Sequence, residues 1–239
     1  MQRPKMIKPY YSQEGIQIYH GDCRDILPHL EPVDLVLADP PYGIKRDRGF
    51  EGFEGFGGFG KPIARRRFEG DNWDSQRPDK ALFEMILKKA KEVFFFGGNF
   101  FADLLPQGKH WIVWDKKNTM PTFGDCELIW TNLPKNSVKK IVFEYNGLLG
   151  KEPFRDHPTQ KPVILIEQLI FLSKNSNTIL DPFMGSGTTL VAAQALGRKC
   201  IGIEIEEKYC RIAVQRLRQK QLPFIKTEEK PKIKQESFL

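Results

Sequence analysis

The chain lacks the features that mark several protein classes. No apolar run approaches the roughly 18 residues of a membrane-spanning helix, and no apolar core follows the basic residues near Met1 as in a secretory signal. The four cysteines form no C-x-x-C pair and have no histidine at ligand spacing, so neither a zinc site nor a disulfide framework is predicted. We therefore expect a cytoplasmic protein with reduced thiols, no metal and no membrane partner.

The composition is that of an ordinary globular domain. Hydrophobic residues make up 40% and charged residues 28% of the 239 residues, and this length suits one domain with an insertion or a tail. Lys and Arg outnumber Asp and Glu by 37 to 30, and this net charge of +7 suits a polyanionic partner such as nucleic acid. We predict one domain over residues 1–220 and a disordered tail over 221–239.

The excess positive charge is concentrated in one segment. Residues 44–67 hold seven Lys or Arg against three Asp or Glu, which is +4 of the net +7. Phenylalanine recurs there at every third residue, among too many glycines for a stable helix. We predict a mobile loop over 43–72, either a solvated insertion or a flap that orders on a nucleic-acid backbone. The basic residues assigned to that backbone are Lys45, Arg46, Arg48, Arg65, Arg66 and Arg67.

Strand and helix patterns alternate along the chain. Strands are predicted at 16–20, 33–38, 93–96, 111–114, 126–130, 139–143, 177–180 and 199–204. Helices are predicted from about Asp22 and over 80–90, 162–173, 188–196 and 206–219. This alternation predicts a doubly wound, mostly parallel α/β sheet, in which ligands bind beyond the carboxyl ends of the strands.

A first motif, Asp39-Pro40-Pro41-Tyr42, directly follows the apolar strand 33–38. The prolines fix the backbone and remove N–H donors, so Asp39 and the Pro40 carbonyl form a rigid pair of acceptors beside an aromatic ring. That arrangement suits an amino group on a flat ring. Taken alone, the tetrapeptide is equally an ordinary Pro-Pro turn with an exposed tyrosine.

A second motif, the glycine loop from Asp181 to Thr189, joins a predicted strand to a predicted helix. It lacks the lysine of a P-loop, and Leu190 stands where a third dinucleotide-loop glycine would allow close helix packing. Glu204, 23 residues after Asp181, takes the place of the acidic residue that binds ribose hydroxyls. The loop therefore predicts a ligand with ribose but without a required phosphate. A generic turn with a surface glutamate is the other interpretation.

Together the two motifs resemble the permuted (β-type) DNA amino methyltransferases, which methylate the exocyclic nitrogen of adenine or cytosine using S-adenosylmethionine. Three further stretches fit the resemblance: Gly21-Asp22, Trp114-Asp115-Lys116, and His157-Pro158-Thr159-Gln160-Lys161-Pro162. The tetrapeptide precedes the glycine loop, which is the β-type order. The resemblance covers residues 14–219 and implies an inserted DNA-recognition region, for which 117–156 is the candidate.

The resemblance also implies residue roles. The catalytic residues would be Asp39, Pro40 and Tyr42, with Tyr42 stacking on a base flipped out of double-stranded DNA. Glu204 would hold the ribose hydroxyls, Asp22 would meet the adenine end of the donor, and Thr159 and Lys161 would hold its methionine arm. The full donor set is Asp22, Cys23, Asp39, Thr159, Lys161, Asp181, Phe183, Gly185, Gly187, Thr188 and Glu204.

Several alternatives stay open at this point. Asp at the first position of the tetrapeptide favours N6-adenine over N4-cytosine as the target, whereas cytosine-C5 methylation is disfavoured because no cysteine follows a proline. A catalytically inactive DNA-binding relative and a nicotinamide dehydrogenase are the more distant alternatives. A cognate restriction endonuclease and a second copy of the chain are further candidate partners.

Overall fold

The structure, a computed structural model, describes residues 7–44, 77–108, 110–117, 124–144 and 160–219. Within these ranges nine strands form one sheet, with helices packed on both of its faces. The predicted loop from residue 45 to 72 and the predicted tail 221–239 lie outside the described residues. Every helix in the described ranges is too short or too polar to span a membrane.

The sheet is mostly parallel, as the sequence predicted. Its strands are β1 (Tyr11–Gln13), β2 (Ile16–His20), β3 (Val33–Ala38), β4 (Ala90–Phe96), β5 (His110–Asp115), β6 (Cys126–Thr131), β7 (Val138–Val142), β8 (Thr178–Asp181) and β9 (Lys199–Glu204). They lie in the order β1-β2-β9-β8-β3-β4-β6-β5-β7. Only β1 and β6 of these described strands run against the others. The order reverses around β3 and β8, the point at which doubly wound sheets bind ligands.

Helices connect the parallel strands. They are α1 (Cys23–Ile26), α2 (Lys80–Leu87), α3 (Val163–Leu172), α4 (Thr188–Ala195) and α5 (Glu207–Arg218), with short 3-10 turns at Leu27–His29 and Gly98–Phe101. The prediction of a helix to residue 90 was wrong, because α2 ends three residues earlier. The Lys89 carbonyl accepts a hydrogen bond from the backbone of Val33, and Ala90 pairs with Val33 in the sheet. Pairing with β3 therefore ends α2 at Leu87, before the apolar pattern of the sequence ends.

The central strands are apolar on both faces because helices cover both. Phe94 and Phe96 of β4 pack into the core that α3, α4 and α5 close, whereas Phe95 packs with Phe83 of α2 at 4.8 Å between ring centroids. Continuous apolar runs of this kind are typical of buried parallel strands. The polar residues that follow such strands consequently emerge together at the edges of the sheet.

The loop motif has Leu190 where a dinucleotide-binding loop has a third glycine, and the neighbouring strand β9 carries Gly202 opposite it. Leu190 of α4 packs against Gly202 of β9, where an added Cβ would lie 2.8 Å from the Leu190 side chain and 2.5 Å from Met184 Sδ. The absence of a side chain on the strand thus gives α4 the room that a glycine on the helix would otherwise provide. The loop departs from the dinucleotide pattern without losing close packing of helix on sheet.

Asp34 joins the beginnings of two central strands. Its carboxylate accepts hydrogen bonds of 2.9, 2.9 and 2.8 Å from the backbone N–H groups of Asn177 and Thr178 and from the Thr178 hydroxyl. The Thr178 hydroxyl bond is the main cause that lowers the pKa of Asp34. A lowered carboxyl pKa means that this stabilisation is complete above the pKa of the unfolded chain and is lost as the pH falls through the folded-state pKa.

We predict that Asp34→Ala lowers the free energy of unfolding by about 2–3 kcal/mol, because it leaves two backbone donors without their charged acceptor. Urea denaturation at pH 7 measures the change, with Glu31→Ala at an exposed position as the control. Equal stabilities for the two variants would show that Asp34 does not hold β8 to β3.

Candidate active site

Chemistry-bearing side chains converge at one edge of the sheet. Asp39 follows β3, Asp181 ends β8 and Glu204 ends β9, so all three lie where parallel strands present their carboxyl ends. Strand β6 is antiparallel, and therefore its first residues, including Glu127, lie at this same edge. The edge thus collects residues from four strands that are distant in sequence.

Asp39 is held by a tyrosine and a lysine. The Tyr42 hydroxyl donates to Asp39 Oδ1 at 2.8 Å, and Lys161 Nζ donates to Asp39 Oδ2 at 2.7 Å. Lys161 also lies 5.0 Å from the centre of the Phe96 ring, at the end of β4. An ionised carboxylate offers about four hydrogen-bond sites, so each Asp39 oxygen can still accept a further N–H.

Glu127 contacts the same two groups from the opposite side. Its Oε1 lies 2.8 Å from the Tyr42 hydroxyl and 3.2 Å from Lys161 Nζ, and its Oε2 lies 3.0 Å from Lys116 Nζ. The Lys161 and Glu127 side chains are only 12% and 11% exposed. The two carboxylates and the two ammonium groups balance in charge, which offsets the cost of placing them away from water.

The cluster changes the proton affinities of its members. Burial raises the pKa of Asp39, with the Lys161 charge opposing and the Glu127 charge adding to this shift. Burial would also raise the pKa of Glu127, but Lys161 and Lys116 overcome it and lower that pKa to about 2. Burial and the two carboxylates raise the pKa of Tyr42 well above its ordinary value, so its hydroxyl keeps its proton and donates it.

The Tyr42 ring is stacked on a second aromatic residue. Phe100 lies parallel to it, with 4.7 Å between centroids and 17° between planes, and Phe101 meets it edge-on at 5.9 Å. Gly97 allows this approach, because an added Cβ would lie 2.5 Å from the Tyr42 ring and its φ of +62° disfavours any side chain. Phe100 therefore occupies one face of the Tyr42 ring, and Lys161 Nζ lies 6.0 Å from the ring centroid.

The glycine loop lies beside this cluster. Asp181 Oδ1 accepts a hydrogen bond of 3.0 Å from the backbone of Phe183. Glu204 Oε2 accepts one of 2.9 Å from Gly185 and its Oε1 one of 2.8 Å from Glu206. Each Glu204 oxygen keeps acceptor capacity, so the carboxylate fits a ligand with two adjacent hydroxyls. Burial raises the pKa of Glu204, and the backbone N–H bonds oppose this rise.

A hydrogen-bond network ties the loop to the segment that carries Lys161. The Ser186 hydroxyl donates to Gln160 Oε1 at 3.0 Å, and Arg216 of α5 donates to the Ser186 carbonyl at 2.8 Å and to Thr188 Oγ1 at 3.2 Å. Gln160 directly precedes Lys161 and is buried. The loop and the Asp39 cluster are therefore connected through protein contacts.

The remaining predicted donor residues border the same edge. Asp22 caps α1 by accepting from the backbone of Arg24 at 2.8 Å, and it also forms an ion pair with the Arg24 guanidinium at 2.7 Å. Gly187 caps α4 with a φ of +81°. The Cys23 side chain is buried in the core, where burial raises the pKa of the thiol to about 12. Whether these residues touch a donor stays a prediction.

Some predicted residues lie outside the described part of the chain. They are Thr159 and the six basic residues Lys45, Arg46, Arg48, Arg65, Arg66 and Arg67. Of the candidate recognition region 117–156, the structure describes residue 117 and residues 124–144. The latter contain β6 and β7, which are strands of the central sheet. The role of this region in DNA recognition stays a prediction.

The sequence interpretation missed Glu127, Phe100 and Gly97. No motif marks Glu127, the second residue of β6, and its place in the site depends on β6 running antiparallel between β4 and β5. Gly97 directly follows β4 and Phe100 lies in the 3-10 turn after it, so the predicted carboxyl end of a parallel strand was a usable signal for them.

Comparisons with known proteins identify the family of this chain. Residues 110–215 match the family described as DNA methylase. The Type II methyltransferase M2.LlaDCHI of Lactococcus lactis subsp. cremoris is 32% identical, over 89% of this chain and 93% of that protein. M2.DpnII of Streptococcus pneumoniae is 30% identical over the same shares, 89% and 93%.

Solved structures give the same fold. A crystal structure of an M1.HpyAVI–SAM complex is 27% identical with a TM-score of 0.55, over 85% of this chain and 99% of that chain. The PvuII DNA methyltransferase (cytosine-N4-specific) has a TM-score of 0.58 at 17% identity, over 90% of each chain, which is a likeness of fold alone.

We predict that Asp181→Asn stabilises the protein more at pH 8 than at pH 5. Burial raises the pKa of Asp181 to about 7, so the folded protein binds this proton more tightly than the unfolded chain. Stability is therefore lost as the pH rises from the ordinary carboxyl pKa to about 7, by up to about 1.4 kcal/mol per pH unit. Asparagine cannot ionise, and its carbonyl can still accept from Phe183.

Urea denaturation at the two pH values measures this difference, and the exposed Asp125→Asn variant is the control. A pH-independent difference between wild type and Asp181→Asn would contradict the raised pKa.

Proposed function

Because the chain belongs to the DNA methylase family of N6-adenine and N4-cytosine enzymes, we propose that it methylates the exocyclic N6 amine of adenine in double-stranded DNA. The methyl donor is S-adenosylmethionine, and the target base is flipped out of the helix into the site. A solved relative in complex with SAM, 27% identical over 85% of this chain, supports this choice of donor.

The observation that carries the proposal is the placement of Asp39. It is a carboxyl acceptor at a rigid Asp-Pro-Pro turn, with one oxygen bound to Tyr42 and the other to Lys161. Each oxygen keeps capacity for one more donor, and the Pro40 carbonyl lies next to it in the chain. The acceptor pair therefore suits the two N–H groups of an amine on a flat ring.

The chemical difficulty lies in the amine, whose lone pair is delocalised into the base. When bound, S-adenosylmethionine supplies a methyl group that is already activated by its sulfonium. Asp39 and the Pro40 carbonyl accept hydrogen bonds from the two N–H groups of the amine, favour a tetrahedral nitrogen and stabilise the positive charge that develops there. The methylated nitrogen then releases one proton to solvent. The Lys161 charge opposes the rise in the pKa of Asp39 that burial causes, and no covalent intermediate with the protein is required.

The residues of the glycine loop fit this donor. Glu204 presents two oxygens with remaining acceptor capacity to the ribose hydroxyls, and Asp181 and Phe183 lie beside it on the same edge. Lys161 was assigned to the methionine arm from the family resemblance, and its ammonium group contacts Asp39 and Glu127. We propose that its position between donor and target lets it meet the donor carboxylate as well.

Adenine is proposed over cytosine because an Asp, rather than the serine common among N4-cytosine enzymes, is the first residue of the tetrapeptide. The net charge of +7 supports DNA as the partner. A cognate restriction endonuclease, a homodimer and a cytoplasmic location stay predictions of the resemblance and the composition.

We predict that the purified protein, incubated with mixed-sequence DNA and isotopically labelled S-adenosylmethionine, produces N6-methyladenine. Mass spectrometry of the digested nucleosides identifies the product. N4-methylcytosine as the main labelled nucleoside would overturn the choice of base, and no labelled nucleoside at all would overturn the proposed reaction.

We also predict that Asp39→Ala lowers methyl transfer at least about a hundredfold while DNA affinity stays within a few-fold, because the lost interaction is made mainly in the transition state. Single-turnover kinetics and fluorescence anisotropy measure the two quantities. Asp25→Ala, on α1, is the control for loss of an exposed carboxylate. Transfer within tenfold of wild type would remove Asp39 from the catalytic role.

A further inference from the structure

The Tyr42 hydroxyl lies between two carboxylates but has one proton to give. Asp39 Oδ1 and Glu127 Oε1 are both 2.8 Å from it. A phenol donates one hydrogen bond at a time, so the two carboxylates compete for that proton. Whenever Tyr42 donates to Glu127, an acceptor site on Asp39 Oδ1 becomes available to another donor.

The Lys161 ammonium interacts with the same two carboxylates. Its ammonium lies 2.7 Å from Asp39 Oδ2 and 3.2 Å from Glu127 Oε1, and Lys116 contributes a second positive charge on Glu127 Oε2 at 3.0 Å. Glu127 therefore competes with Asp39 for the Lys161 ammonium. Without Glu127, the Tyr42 hydroxyl and the Lys161 ammonium would both interact more strongly with Asp39.

We propose that Glu127 is a positioning residue for methyl transfer: it shares the Tyr42 hydroxyl and the Lys161 ammonium with Asp39, and so keeps Asp39 a strong acceptor for the target amine. This inference rests on the proposed function. Glu127 acts through its neighbours and need not touch the base or the donor.

The charges that face Asp39 come from several elements. Lys161 approaches from the segment before α3, Glu127 from β6, and Asp181 from the end of β8, while Tyr42 lies in the same turn as Asp39. Lys161 is the positive member of this set, and the Glu127 charge raises the pKa of Asp39. Removing the Glu127 charge therefore lets Lys161 and Tyr42 stabilise ionised Asp39 more fully, which makes Asp39 a weaker acceptor.

The first test measures Asp39 in the protein without donor or DNA. Carboxyl 13C NMR of protein labelled at aspartate follows its titration, and the Asp39→Asn variant identifies the resonance. Glu127→Gln is expected to lower the pKa of Asp39, whereas Asp125→Asn, which removes an exposed carboxylate two residues away, is expected to leave it unchanged.

The variant Lys116→Gln is expected to shift the pKa of Asp39 in the opposite direction. This measurement is independent of whether Glu127→Gln folds. It removes a positive charge from Glu127, so Glu127 binds Lys161 more strongly and the pKa of Asp39 is expected to rise. A residue that only stabilised the packing of β6 would not produce opposite shifts at Asp39 in the two variants.

The second test measures catalysis. Glu127→Gln is expected to lower kcat about tenfold, with the KM for S-adenosylmethionine within twofold, and to move the acid limb of the kcat profile to lower pH. Asp125→Asn controls for the effect of net charge on DNA binding.

The outcomes separate this inference from the proposed function. A wild-type protein that transfers no methyl group to DNA contradicts the proposed function, whereas the NMR titration still tests the coupling of Glu127 to Asp39. An active wild type combined with an unchanged Asp39 titration in both Glu127→Gln and Lys116→Gln overturns the inference alone. An unchanged kcat profile in Glu127→Gln would also overturn it.

Discussion

The Lys161 ammonium, held between the carboxylates of Asp39 and Glu127, is the interaction on which the site depends. It joins the turn after β3, the beginning of β6 and the segment before α3, which are separated by up to 122 residues in the chain. A buried carboxylate on its own would take up a proton and lose its negative charge. The Lys161 charge opposes that proton uptake at Asp39, and the Glu127 carboxylate balances the lysine charge in turn.

The part of the site that is proposed to bind the donor is built differently. Asp181 and Glu204 have no lysine or arginine among their described partners, and their oxygens are instead met by backbone N–H groups and hydroxyls. Burial consequently raises the pKa of both groups. Acceptors that are partly satisfied by a rigid backbone suit neutral hydroxyl groups, whereas the ion cluster around Asp39 suits a centre that becomes positive during reaction.

The two sides are physically coupled. Ser186 of the glycine loop bonds Gln160, which precedes Lys161, and Arg216 of α5 holds the same serine from the other side. Gln160 and Lys161 are covalently adjacent. A shift of the loop would therefore be transmitted through Gln160 to Lys161, which binds Asp39. Such a connection would fix the proposed donor and target sites relative to each other, which a transfer between two bound molecules requires.

The sequence by itself determined the doubly wound sheet, the Asp39 tetrapeptide, and the loop with Glu204, because each depends on local order: an apolar strand followed directly by its motif. Parallel strands then bring those motifs to one edge. Only the tertiary structure decided the place of Glu127, the stacking of Tyr42 on Phe100, the partners of Lys161 and the end of α2 at Leu87. These follow from long-range strand pairing, above all the antiparallel β6 between β4 and β5, which no local pattern encodes.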